Sequence, residues 1–106
     1  MRLNMRKADM SRPTAAQKRM WGRVFEAGCM ACKQDEIFSF PEIHHWREYG
    51  YRDHSKVFGL CPAHHKEVSA VKGIPNRHLN PIEFRAAYGS DHELFEKCKK
   101  EIGEKL

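Results

Sequence analysis

No stretch of this chain is apolar over the length needed to cross a bilayer, which excludes a helical membrane anchor. The N-terminus has no apolar core of a secretory signal. Cysteines number four, and a chain without an export signal is expected in a reducing cytoplasm. Close cysteine pairs there bind metal more often than they form disulfides. Internal repeats and low-complexity tracts are also absent, which excludes solenoids and flexible linkers. Acid is nearly missing from residues 1–23, where seven Lys/Arg face only Asp9, for a charge of +6. The remaining positions carry twelve Lys/Arg against thirteen acids, so they are about neutral at −1. A basic leading arm suits phosphate contact through counterion release, and it equally suits a solvated tail.

The 106 residues suffice for one domain. So short a chain buries a modest core, and small domains of this kind often rely on a staple. Residues 1–12 show no apolar period and read as a basic, flexible arm, with a single domain over 13–106. Thr14-Ala15-Ala16-Gln17 is a capping-box pattern that opens a helix, and Gly28 sits where its C-cap glycine belongs. Ala16, Met20, Trp21, Val24 and Phe25 share one stripe of that helix, and Met20, Trp21 and Phe25 read as core residues. Residues 37–46 mix β-branched and aromatic residues around Pro41 and predict a short irregular strand ending at His44-His45. Residues 47–56 read as a polar loop and 57–60 as a second strand. Pro62 suits the first turn of a helix running to about Ser69. After a loop, Asn80-Pro81-Ile82-Glu83 predicts an N-capped helix to Tyr88. Ser90-Asp91-His92-Glu93 is a second capping box for a last helix, with Leu94, Phe95, Cys98 and Ile102 on its inner face.

Cys29-x2-Cys32 followed by Cys61-x2-His64 supplies four ligands in two matched pairs, as a closed tetrahedral zinc site requires. A two-residue gap lets a tight turn, or the first turn of a helix, aim both donors at one ion. Cys98 falls outside the pattern and reads as a core thiol. Five of the seven histidines lie between residues 44 and 65, four of them as the doublets His44-His45 and His64-His65. If His64 closes the zinc site, His65 lies roughly 100° around the helix. His44 and His45 point to opposite sides of their strand. Spacing then allows His44 and His65 to share a second, open metal site with His45 beside it. It also leaves open that His65, not His64, completes the first site. His78 and His92 stand alone and read as ordinary surface histidines.

Cys-x2-Cys, then Glu42-Ile43-His44-His45, then Gly59-Leu60-Cys61-Pro62-Ala63-His64-His65 resembles the HNH, or ββα-metal, nuclease core. With Arg12-Pro13-Thr14-Ala15, Asp53-His54, Tyr88-Gly89-Ser90-Asp91 and Glu93-Leu94, the chain is similar over about residues 12–95 to the phage Ref family, described as RecA-dependent nucleases. The resemblance implies an α+β fold. Its ββα-metal core would be stapled by a zinc knuckle and flanked by one N-terminal and two C-terminal helices. It implies that His44 and His65 hold a catalytic Mg²⁺ or Mn²⁺, that His45 is the general base, and that the product carries a 5′-phosphate. The middle motif position is commonly Asn. No Asn lies between His45 and Cys61, and His54 is the nearest candidate for that place.

DNA is the implied substrate, a RecA filament the implied partner, and a phage or prophage protein in bacterial cytoplasm the implied setting. No dimer seam is visible, so a monomer is expected. Arg52, Lys56, Lys66 and the basic arm are candidate phosphate contacts. A zinc module that binds DNA without cutting it would keep the four zinc ligands and the arm, but would have no need of His45.

Overall fold

A computed structural model describes residues 12–47, 50–66 and 74–103. Helix α1 spans Ala15–Ala27 and α2 spans Met30–Gln34. Strands β1, Glu42–His45, and β2, Val57–Leu60, pair antiparallel with His44 opposite Phe58 and His45 opposite Val57. Helices α3, Pro62–His65, α4, Pro81–Tyr88, and α5, Asp91–Ile102, complete the described chain. This is the expected α+β class, with a β1-β2-α3 unit between two N-terminal helices, the long α1 and the short α2 of the cysteine knuckle, and two C-terminal ones. The basic arm lies outside the described residues, apart from Arg12.

Both capping boxes form. The Thr14 hydroxyl accepts from the Gln17 N–H while the Gln17 side chain accepts from the Thr14 N–H. Ser90 and Glu93 make the same exchange at the start of α5. Each box satisfies backbone donors that a helix start leaves open. Helix α1 ends at Gly28, whose φ of 89° is a conformation that favours glycine.

Strand β2 is the centre of the molecule. All four of its residues are buried, and α1, α2 and α5 pack around it. Phe58, Phe84, Leu60, Leu94 and Val24 are fully buried together with Cys29 and Cys98. Gly59 lets the chain close up here, since a Cβ would lie 2.7 Å from both the Gly28 carbonyl oxygen and Pro41 Cβ. Cys98 is the core thiol its helical face predicts, and burial pushes it up to about 11.

Three expectations change and a fourth falls outside the described residues. The first strand begins at Glu42, not near residue 37. Pro41 has no N–H for a ladder, and residues 37–40 instead lie against the end of α1, where Cys29 N–H donates to the Ser39 carbonyl. Phe25 is not core. It is 45% exposed and stacks on Phe40, with Phe38 edge-on to Phe40. Asn80 stands at the N-cap of α4 without capping it, because its side chain accepts from the Asn76 N–H. Helix α3 reaches His65, and its expected continuation to Ser69 lies outside the described residues.

Candidate metal centres and catalytic cleft

Cys29, Cys32, Cys61 and His64 converge as predicted, and all four are buried. Cys29 is the N-cap of α2, and its sulfur accepts from the Cys32 N–H at 3.3 Å. Cys61 is the N-cap of α3, one turn before His64. His64 Nδ1 lies 3.7, 3.5 and 3.3 Å from the sulfurs of Cys29, Cys32 and Cys61, and the Cys32 and Cys61 sulfurs are 3.8 Å apart. A tetrahedral zinc with ordinary bond lengths sets sulfur–sulfur edges of about 3.8 Å and sulfur–nitrogen edges of about 3.6 Å. The donor set and its dimensions therefore fit such an ion.

The surroundings fit as well. Ser39 Oγ donates to the Cys32 sulfur at 3.1 Å. His64 Nε2 is 3.2 Å from the Tyr88 hydroxyl, which donates to Asp35 at 3.2 Å. With Nε2 carrying the proton, this chain fixes Nδ1 as the metal-facing atom. Burial pushes the Cys29 thiol up to about 12, so an empty site would hold a neutral thiol. A dication reverses that preference by stabilising the thiolate. His64, and not His65, is the histidine whose ring nitrogen lies among the three sulfurs.

His65 turns the other way, and its ring stands against His44 with centroids 5.2 Å apart. The pair predicted to meet does meet, and a third ring joins it. His78 lies 4.8 Å from His65 and 5.5 Å from His44 by centroid. The donor atoms of His44, His65 and His78 all fall within 4.8 Å of one another. His78 is exposed, as a surface histidine should be, yet it belongs to this cluster. Its backbone explains why: Arg77 N–H donates to the His64 carbonyl and His78 N–H to the His65 carbonyl. Asn76, buried at 2% exposure, shapes this turn by accepting from the Leu79 N–H at 2.6 Å. A lone histidine in a loop gave no signal of this placement.

Carboxylates back the cluster. His65 Nδ1 is 2.7 Å from Glu42 Oε1, so its Nε2 is the atom left for an ion. His44 Nε2 is 3.5 Å from Asp91 Oδ2. Arg77 grips the same carboxylate twice, Nε to Oδ1 at 2.7 Å and Nη2 to Oδ2 at 2.9 Å. Burial pushes the Asp91 carboxyl upward, but the His44 and Arg77 contacts together outweigh it and hold the group well below the usual carboxylate range. Three imidazoles with open solvent beyond them fit a divalent cation that keeps free positions.

His45 projects from the opposite face of β1, toward α1. Its Nε2 is 3.0 Å from His54 Nδ1. Trp21 contacts both rings edge-on, and its indole N–H donates to the His54 carbonyl at 2.8 Å. Trp21 thus fixes the His45–His54 pair as well as packing on the core, a role that helical periodicity did not reveal. Burial, followed by the neighbouring His54 and Arg52, pushes His45 down to about 4, so the ring is neutral at ordinary pH. His44, His45, His65 and His78 all open on one cleft of about 580 Å³. Arg47, Arg52 and Lys66 stand on its walls, as anion binding requires. Lys56 does not line it; its ammonium lies over the Trp46 ring at 5.6 Å. His92, on the far side of Trp46, stacks on that ring and belongs to neither cluster.

No helix among the described residues is long and apolar enough to cross a membrane. No curated protein matches the chain. A family model described as "Recombination enhancement, RecA-dependent nuclease" matches residues 13–103.

Proposed function

The chain belongs to the family of RecA-dependent, recombination-enhancement nucleases, and from that premise we propose that it is a metal-dependent DNA endonuclease of the HNH type. The observation that carries this reading is the pairing, in one cleft, of a three-histidine cluster with a neutral histidine held by a second one. A nuclease needs both: a cation for the charge that develops on the phosphate, and a base for the attacking water.

His45 takes the water proton. Its contact with His54 occupies Nε2 and leaves Nδ1 to act, and its depressed pKa keeps a lone pair available. His54, the nearest candidate for the place that the related motif commonly gives to Asn, positions the base through this contact. His44, His65 and His78 would hold Mg²⁺ or Mn²⁺, which would stabilise the transition-state charge and the leaving 3′ oxygen and give a 5′-phosphate product. Imidazole ligands also suit Co²⁺ and Ni²⁺. Arg47, Arg52 and Lys66 hold the flanking phosphates. The Cys29, Cys32, Cys61 and His64 site would hold a structural zinc and stay out of the chemistry. The family description calls its members RecA-dependent, which supports RecA as the partner; a RecA filament on DNA is the form this reading takes.

The test incubates supercoiled and single-stranded DNA with the full chain and Mg²⁺ or Mn²⁺, with and without RecA and ATP. The wild-type chain is expected to cut in the complete mixture. His45→Ala is expected to stay folded, keep its zinc and bind DNA, yet cut about 10²–10⁴-fold more slowly. Undiminished cutting by His45→Ala would remove that residue from the mechanism. DNA binding with no cutting by the wild type would favour a non-catalytic zinc module.

A further inference from the structure

Asp91 sits where the catalytic strand, the loop that carries His78 and the last helix meet. It is the first residue of α5, after the Ser90 cap, and its side chain is only 11% exposed. Oδ1 accepts from Arg77 Nε, and Oδ2 accepts from Arg77 Nη2 while lying 3.5 Å from His44 Nε2. Arg77 directly precedes His78, and its backbone is already tied to the carbonyl of His64. One carboxylate therefore faces one member of the histidine cluster and clamps the residue next to another.

We propose that Asp91 is a positioning residue for the second metal site, holding His44 by its charge and His78 through the Arg77 fork. This inference rests on the reading of His44, His65 and His78 as metal ligands.

The physical argument has two parts. A carboxylate behind a ligating imidazole fixes which ring nitrogen keeps its lone pair and makes that nitrogen a better donor. At 3.5 Å, the outer limit of a hydrogen bond, Asp91 acts on His44 chiefly through charge. Arg77 is held by two short parallel contacts, which fix direction as well as distance. His78 is exposed and comes from a loop, so it lacks the packing that holds His44 against Phe58 and His65 beside Glu42. The clamp on the adjacent residue supplies what packing does not. The capping box at the same helix start is made by Ser90 and Glu93, so the Asp91 carboxylate is free for this task.

The experiment titrates Co²⁺ into the zinc-loaded full chain and follows the visible absorption of histidine-bound cobalt. Thiolate-to-cobalt bands would reveal any exchange at the cysteine site. Asp91→Asn keeps the shape and removes the charge, and is expected to weaken Co²⁺ binding about 10–100-fold with zinc content unchanged. Arg77→Gln is expected to weaken it in the same direction. Glu93→Ala breaks the capping box of the same helix, so it is expected to lower the unfolding midpoint while leaving Co²⁺ affinity within about twofold of wild type. Equal affinities for wild type and Asp91→Asn would overturn the proposal while leaving the metal site standing. Equal losses in Asp91→Asn and Glu93→Ala would reduce Asp91 to a helix-start residue. Absence of histidine-bound Co²⁺ in the wild type would overturn both the metal reading and this inference.

Discussion

Among the described residues, two clusters could hold a metal; adjacent histidines join them, yet they differ in almost every property that matters to an ion. The Cys29, Cys32, Cys61 and His64 cluster is buried, has four donors and is rich in sulfur. The His44, His65 and His78 cluster has three nitrogen donors, one of them exposed, and opens on a cleft. Sulfur donors and closure suit a structural zinc; open imidazole positions suit an ion that must admit water and phosphate. The divide runs between His64 and His65, neighbours on one turn of α3 that face opposite ways. On the proposed reading, one short helix serves both the staple and the chemistry.

The comparison is broken most forcefully at the zinc. The five largest fully buried hydrocarbon side chains among the described residues each contribute roughly 1.5–3 kcal/mol. Structural zinc in small domains contributes on the order of 10–16 kcal/mol. Such an ion therefore rivals those five side chains taken together. Cys29→Ser, or removal of zinc by a strong chelator, is expected to abolish cooperative folding. Circular dichroism and thermal melting check this, and a native spectrum with an unchanged melt in the metal-free protein would contradict it.

A smaller effect is expected on the other side of the divide. His78→Ala should leave zinc content and melting nearly unchanged but reduce Mn²⁺-dependent cleavage by at least about tenfold. Recovery at high Mn²⁺ would mark His78 as a ligand. Full activity at low Mn²⁺ would leave the site with two histidines.

The smallest expected effect concerns pH. His45 is pushed below its ordinary 6.5 to about 4 by burial and by His54. It must be neutral to act as a base, so the acid limb of the pH–rate profile is expected below 6.5. The sign for stability follows: acid between 6.5 and about 4 protonates this ring more readily in the unfolded chain, so it favours unfolding. A cleavage rate that already halves near pH 6.5 would show that His45 is not the base.

The two clusters were unequally legible. The zinc site was plain because its ligands come in two pairs, each held within a single turn, so spacing alone sets the geometry. Helices α1 and α5 were plain for the same local reason, since their capping boxes span four residues. Pairing of His44 with His65 needed only that β2 run back beside β1 into α3. His78 was not legible, because two long-range backbone hydrogen bonds place it. Trp21 had the periodicity of a core residue and packs as one, which hid its hydrogen bond to His54. The early start assigned to β1 and the core role assigned to Phe25 failed together. Residues 37–40 form a surface aromatic cluster with the end of α1 rather than a strand.

Anomalous diffraction from crystals of the zinc-loaded chain soaked in Mn²⁺ tests the division of labour most directly. The account predicts a zinc peak among the sulfurs of Cys29, Cys32 and Cys61, and a separate manganese peak among His44, His65 and His78. A filled cysteine site with the three histidine rings turned apart and no ion between them would contradict it.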